Sequence, residues 1–167
     1  MKNQEKNTPL PLEEALKNVS PEEYDNFIEQ IQLESIFLSK HNFDRALDSH
    51  LKDNAKLNIS SKTAYYTNCE ELQRTFGSIE YELKIVNGDY ELFNASFEFT
   101  AEFTYENQSF DENTFSIFLN NSLQAMLHPY IRAYISHLMS ESDMGHFTLP
   151  MMKMFTQKEE SKEPEKL

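Results

Sequence analysis

Glycine is scarce in this chain, with three in 167 residues. Loops that cradle a phosphate need a backbone that can approach without a Cβ, so that class of nucleotide site is excluded. Neither the Walker nor the dinucleotide fingerprint occurs. Cysteine occurs once, at Cys69, which excludes an internal disulfide and any cysteine-based metal cluster. No histidine or basic residue adjoins it in sequence to activate the thiol. Tryptophan is absent, and the apolar stretches fall far short of a bilayer span. Met1 to Lys6 lead into no apolar segment, so no signal peptide is expected and a cytoplasmic location follows. Positive charge is in deficit: 15 Lys and Arg against 28 Asp and Glu leave a net charge of -13. Such a chain repels nucleic-acid phosphates and anionic lipid, and favours basic or neutral partners.

What is abundant is aromatic and soft apolar material: 13 Phe, 8 Tyr and 7 Met. The length suits one domain with a real core. Residues 1–27 form a polar, proline-punctuated N-terminal extension that is partly helical. Leu12, Ala15, Leu16 and Val19 recur at helical spacing there. Ser20-Pro21-Glu22-Glu23 starts a second short helix, with Ser20 as cap, Pro21 in the first helical position and Glu23 closing a capping box.

Four antiparallel strands follow. In the first, within Ile28–Leu47, Ile31 and Leu33 alternate with polar residues and Ile36 and Leu38 continue one residue out of phase. A bulge near Glu34-Ser35 accounts for the slip. A polar loop from Asp48 to Asn54 leads to a second strand through Leu57, Ile59, Ser61 and Tyr65-Tyr66. After a turn between Asn68 and Arg74, Ile79, Tyr81, Leu83 and Ile85 face one way and Glu80, Glu82 and Lys84 the other. Asn87-Gly88-Asp89 is a hairpin signal. In the fourth strand Phe97, Phe99, Ala101, Phe103 and Tyr105 lie opposite Ser96, Glu98, Thr100, Glu102 and Thr104, which predicts one covered and one solvated face.

The period then changes to three and four. Phe115, Phe118, Leu119, Ser122, Leu123, Met126, Leu127, Tyr130, Ile131, Tyr134, Ile135, Leu138 and Met139 make the apolar stripe of a long amphipathic helix. Ser109 and Glu112 have capping-box spacing at its start, Pro129 is expected to kink it, and Gly145 falls beyond its end. Residues 146–155 are apolar and irregular, and 156–167 form a charged tail expected to be disordered. The predicted class is α+β: a four-stranded antiparallel sheet and a long C-terminal amphipathic helix.

No constellation for catalysis is present. The five histidines are dispersed, there is no nucleophile elbow, and paired carboxylates such as Glu80 with Glu82 belong to a solvated sheet face. The chain is read as a non-enzyme with no metal and no cofactor. The methionine-rich segment after the helix suits a surface that repacks around varied partners.

The run Met126-Leu127-His128-Pro129-Tyr130-Ile131-Arg132-Ala133-Tyr134-Ile135-Ser136 resembles the helix of the SecB family of export chaperones. Phe147-Thr148-Leu149-Pro150-Met151 is similar to that family's apolar segment after the helix. Gln30–Phe43, Lys56–Ile59 and Phe97–Tyr105 are similar to its first, second and fourth strands. The resemblance spans residues 28–155. It implies a dimer of dimers, that is, a homotetramer acting as an ATP-independent holdase. Its partners would be unfolded preproteins and the SecA translocation motor, with no nucleic acid and no membrane insertion. Carried over by position, the client-binding groove comprises Leu57, Ile59, Phe147, Leu149, Met151 and Met152. The acidic SecA-docking positions are Asp44 and Glu98. Lys40 stands where the family usually has an acid, so the departures fall on docking more than on the fold. A dedicated interaction module on the same fold, such as an antitoxin-stabilising chaperone, is the alternative.

Overall fold

Two long strands set the architecture: β4 (Arg74–Asn87) and β5 (Tyr90–Tyr105). They pair from Arg74↔Thr104 to Asn87↔Tyr90, so Gly88-Asp89 makes a two-residue turn, and Gly88 adopts φ +59° there. In this computed structural model residues 6–46, 55–62, 64–105, 111–144 and 149 are described. β1 (Ile31–Arg45) pairs antiparallel with the far edge of β5. The other edge of β4 receives β2 (Lys56–Ser61) along Tyr81–Val86, then β3 (Tyr65–Cys69) along Arg74–Ser78. The sheet therefore has five strands, not four. The stretch expected to be one strand is two, because the pairing along β4 slips by one residue between Ser61↔Tyr81 and Tyr65↔Ser78, with the Lys62 N–H donating to the Glu80 carbonyl at 2.7 Å between them.

β1 contains the expected slip between Leu33 and Ser35 and a second one between Leu38 and Lys40. Its cross-strand partners show which side chains share a face. Leu33, Ile36, Leu38, His41 and Phe43 oppose Phe103, Ala101, Phe99, Phe97 and Ala95. Those β5 residues are all buried beneath the C-terminal helix.

That helix begins as α3 (Glu112–Phe118), passes through a π-helical turn (Leu119–Leu123) and continues as α4 (Gln124–Glu141). Its N-cap is Asp111, whose carboxylate accepts from the Thr114 N–H at 2.8 Å. The expected cap Ser109 lies outside the described residues. α4 runs on through Pro129, and the irregularity in the helix sits upstream, in the π-turn. There Leu119 and Leu123 press on the sheet at Gly77, where a Cβ would lie 2.7 Å from a Leu119 methyl. Phe115, Leu123, Leu127 and Ile135 are fully buried on Phe97, Phe103 and Leu83.

Two short helices precede the sheet: α1 (Leu12–Ala15) and α2 (Pro21–Gln30). The expected capping box is formed, with the Glu23 N–H on Ser20 Oγ and the Ser20 N–H on the Glu23 carboxylate at 2.7 Å. Phe27 of α2 meets Phe115 and Phe118 edge-on, with ring centres at 6.3 and 6.0 Å. Upstream of α1, Asn7 forms an antiparallel bridge with Tyr66 of β3.

Candidate functional site

Three regions contain the residues singled out from sequence. The first is the β2 edge. Leu57 and Ile59 oppose Ile85 and Leu83, both buried under the helix, so both point to the helix-covered face. Leu57 is partly buried against the core, whereas Ile59 is 37% exposed. Leu149 is 8% exposed and belongs to the same core cluster. It is therefore a packing residue as much as a surface one. Phe147, Met151 and Met152 lie outside the described residues, so Leu57, Ile59 and Leu149 are the groove candidates whose placement is known. The tail, 156–167, and the loop, 48–54, also lie outside them.

The second region is the β1 rim, which the sequence indicated as a bulged strand with no binding role for its apolar residues. Leu33, Phe37, Leu38 and Phe43 are each between 38% and 47% exposed. β1 pairs with β5 alone among the described strands, so its other edge leaves backbone donors and acceptors open to a partner. Between this rim and α4 lies a cavity of about 410 Å³ lined by His41, Phe43, Arg45, Tyr134, His137 and Leu138. The Tyr134 hydroxyl and His41 Nδ1 are 2.5 Å apart at its wall, and Arg45 pairs with Asp143 at 3.7 Å. The missed signal was apolar residues on both faces of one strand: Phe37 opposes Thr100, on the face away from the helix. A strand with two apolar faces needs two covers, and the described chain supplies one.

The third region surrounds Glu98. Its face of the sheet was expected to be solvated, but Glu98 is 3% and Thr100 5% exposed. Ser39, the extra residue of the second bulge, donates to Glu98 Oε1 at 2.6 Å, and Lys40 Nζ to Oε2 at 3.0 Å. The Tyr65 hydroxyl donates to Oε2, and Lys6 Nζ stands 3.8 Å from the same oxygen. Burial raises the pKa of this carboxyl, but the bonds from Ser39, Tyr65 and Lys40 outweigh it and hold the group below the usual carboxylate range. Burial, followed by the Glu98 contact, pushes the Tyr65 hydroxyl up to about 12. The Glu98 charge is thus engaged within its own chain. Asp44, the other acidic candidate, is exposed.

A carboxylate with a depressed pKa stabilises the fold at pH values above the ordinary carboxylate range, and that stabilisation disappears as pH falls through the folded value. Glu98→Gln is expected to lower stability by about 1–3 kcal/mol at pH 7, the range for hydrogen bonds to a charged group. The gap between wild type and variant should close on acidification. Urea unfolding along a series of falling pH from 7 checks this, and a gap that does not narrow as pH falls would refute the assignment.

No family model and no curated protein matches the sequence. The fold does match. The SecB-like chaperone Rv1957 of Mycobacterium tuberculosis, solved in complex with a ChAD peptide from the Rv1956 HigA1 antitoxin, superposes with a TM-score of 0.67 at 18% identity. The match covers 76% of this chain and 94% of that one. A protein of unknown function from Streptococcus agalactiae superposes with a TM-score of 0.40 at 15% identity, over 72% of this chain and 97% of that one. The chain accordingly has the SecB-like fold: an antiparallel α+β sheet with a long C-terminal helix across it. No helix among the described residues is long and apolar enough to cross a membrane.

Proposed function

We propose that this protein is an ATP-independent holdase chaperone that binds non-native polypeptides and works as a homotetramer in the cytoplasm. The observation that carries the reading is the combination of a SecB-like fold with apolar rims at both sheet edges, Leu33, Phe37, Leu38 and Phe43 on β1 and Ile59 on β2. A rim of this kind supplies both things an unfolded segment seeks: apolar contact and main-chain pairing. The β1 edge serves assembly, where a second copy covers its apolar faces. The β2 edge, continued by Leu149 and the apolar segment 147–152, serves clients. Many weak contacts over several protomers then sum to a useful avidity. The net charge of -13 keeps such complexes soluble and favours basic clients.

A role in export would add docking to SecA through acidic residues, and Asp44 is the exposed candidate for it. The second reading is a dedicated module that holds one partner, such as an antitoxin. It is favoured by the fold match, which was solved with an antitoxin peptide.

Light scattering of several unrelated unfolding proteins tests the first reading, with the mass of the chaperone measured in parallel. Stoichiometric suppression of all of them by a tetramer, without nucleotide, is expected. Suppression of none by a folded protein would leave the dedicated module. Ile59→Asp should weaken suppression several-fold while stability changes by less than about 1 kcal/mol, as for a half-exposed site.

A further inference from the structure

The outer edge of β3 is already filled, and its occupant is the chain's own N-terminal arm. The Asn7 N–H donates to the Tyr66 carbonyl and the Tyr66 N–H donates to the Asn7 carbonyl, both at 2.8 Å. This is a one-residue antiparallel bridge. Beside it, the Lys6 ammonium sits 3.8 Å from the centre of the Tyr65 ring and 3.8 Å from the Glu98 carboxylate. A tyrosine face and a buried, fixed carboxylate together make a cation site. Lys40, Tyr65, Thr67, Phe76, Ser78 and Glu98 line a hollow of about 290 Å³ around it, with the Lys40 ammonium on the other side of the carboxylate at 3.0 Å. Two further bonds hold the arm down, from the Leu10 N–H to Ser116 Oγ at 3.1 Å and from Asn120 Nδ2 to the Leu10 carbonyl at 2.9 Å. The arm therefore has an anchored root at Leu10 and a tip held by one bridge and one half-exposed lysine.

We propose that the β3 edge is a receptor for extended peptide segments carrying a lysine, and that Lys6 and Asn7 occupy it as an internal stand-in that such a segment displaces. The incoming strand pairs with Tyr66 through its backbone, and strand alternation turns the main-chain groups of Asn68 the same way for a second pair. Its lysine takes the position between Tyr65 and Glu98. Because the arm is tethered at Leu10, it competes at an effective concentration set by a three-residue leash, so only segments that pair over more residues than Asn7 does will win. The edge thereby rejects brief encounters and accepts long unfolded stretches. The inference deepens the client-binding reading and rests on it only for the source of the peptide.

The test uses the full chain and a fluorescent peptide copying residues 4–10, with a second peptide in which the lysine is replaced by glutamine. Anisotropy titrations are run on wild type, Asn7→Pro and Lys6→Gln. Asn7→Pro removes the donor to Tyr66, and Lys6→Gln vacates the ammonium position over the Tyr65 ring while Lys40 stays on Glu98. Both variants should bind the lysine peptide about tenfold tighter than wild type, the weight of roughly one net hydrogen bond. The glutamine peptide should bind each of them about tenfold more weakly, on the same basis. Equal binding by wild type and both variants, or indifference to the peptide's lysine, overturns the proposal. Should Asn7→Pro fail to fold, Lys6→Gln decides alone. Aggregation suppression by the same preparations separates the two readings. Suppression without lysine-dependent peptide binding sinks the edge receptor only. Lysine-dependent binding without suppression supports the receptor and sinks the holdase.

Discussion

Phe115→Ala is expected to lower the unfolding free energy by about 3–5 kcal/mol, the range for truncating a fully buried aromatic residue. Phe115 has no exposed surface and stands where four parts of the chain meet. Its ring is edge-on to Phe27 of α2, Tyr66 of β3 and Phe103 of β5, and stacks on Phe118 one turn along the helix. Such pairs add about 0.5–1.5 kcal/mol each beyond the area they bury. The void would be bounded by β5 and the helix, which are tied into the sheet and have little freedom to collapse. Urea unfolding measures the loss. The same substitution should loosen α2, whose Phe27 loses one of its two aromatic partners, so the amides of residues 22–30 should exchange faster than those of β5. A loss below about 1 kcal/mol would mean that the helix start is not packed as described.

The second large effect is expected at Gly77. The strand needs no unusual backbone there; the requirement comes from the helix above. A Cβ at Gly77 would meet a Leu119 methyl at 2.7 Å and both Leu123 methyls at 3.3 Å. Leu119 is 3% exposed and Leu123 not at all, so neither side chain has solvent to swing into. Gly77→Ala moves only the end of a leucine and regains backbone order in the strand, so its cost should stay near 1 kcal/mol. Gly77→Val suits a strand by propensity but forces two further methyls under the π-turn, and overpacking of this kind costs about 3 kcal/mol. Combining Gly77→Val with Leu119→Ala should cost clearly less than the sum of the two, because the second change opens the space the first needs. Additive losses in a thermal unfolding series would refute the close approach.

The elements that were legible in the sequence are those whose pattern has one cause. β4 and β5 alternate cleanly because one face of each lies under the helix. The Ser20 capping box needed only local bonds. The break between β2 and β3 was not legible, because Leu57 to Tyr66 has strand-forming residues throughout and only β4's length decides that two strands share it. The π-turn was hidden for a similar reason. Adjacent pairs such as Phe118-Leu119 and Met126-Leu127 stand three and four residues beyond Phe115 and Leu123, so one extra residue in the turn leaves the stripe readable. Pro129 drew attention as a breaker, whereas the irregularity arose at Leu119–Leu123. At the candidate site, the face of Leu57 and Ile59 was legible from alternation. The closure over Glu98 was not, since it depends on Lys6, Ser39, Lys40 and Tyr65 arriving from three separate segments. The exposure of the β1 rim was not legible because apolar residues in a strand read alike whether the chain or a second copy covers them.

The two slips in β1 have a consequence for how the strand tolerates changes in length. Each extra residue is absorbed as a bulge, so the sequence alternation slips by one while the strand keeps its faces, and two slips together restore the original parity. Ile31 and Leu33 share their sequence parity with His41, Phe43 and Arg45 because Ser39 cancels the slip begun at Glu34. Deleting either residue alone would remove an unpaired residue and leave the remaining partners in register, with Phe43 still beside Phe93, on which it stacks at 6.1 Å, and Arg45 still near Asp143. Deleting both would shorten the strand and leave its faces as they are. Loss of one residue at either slip should therefore be tolerated better than loss of one from the regularly paired stretch 40–45.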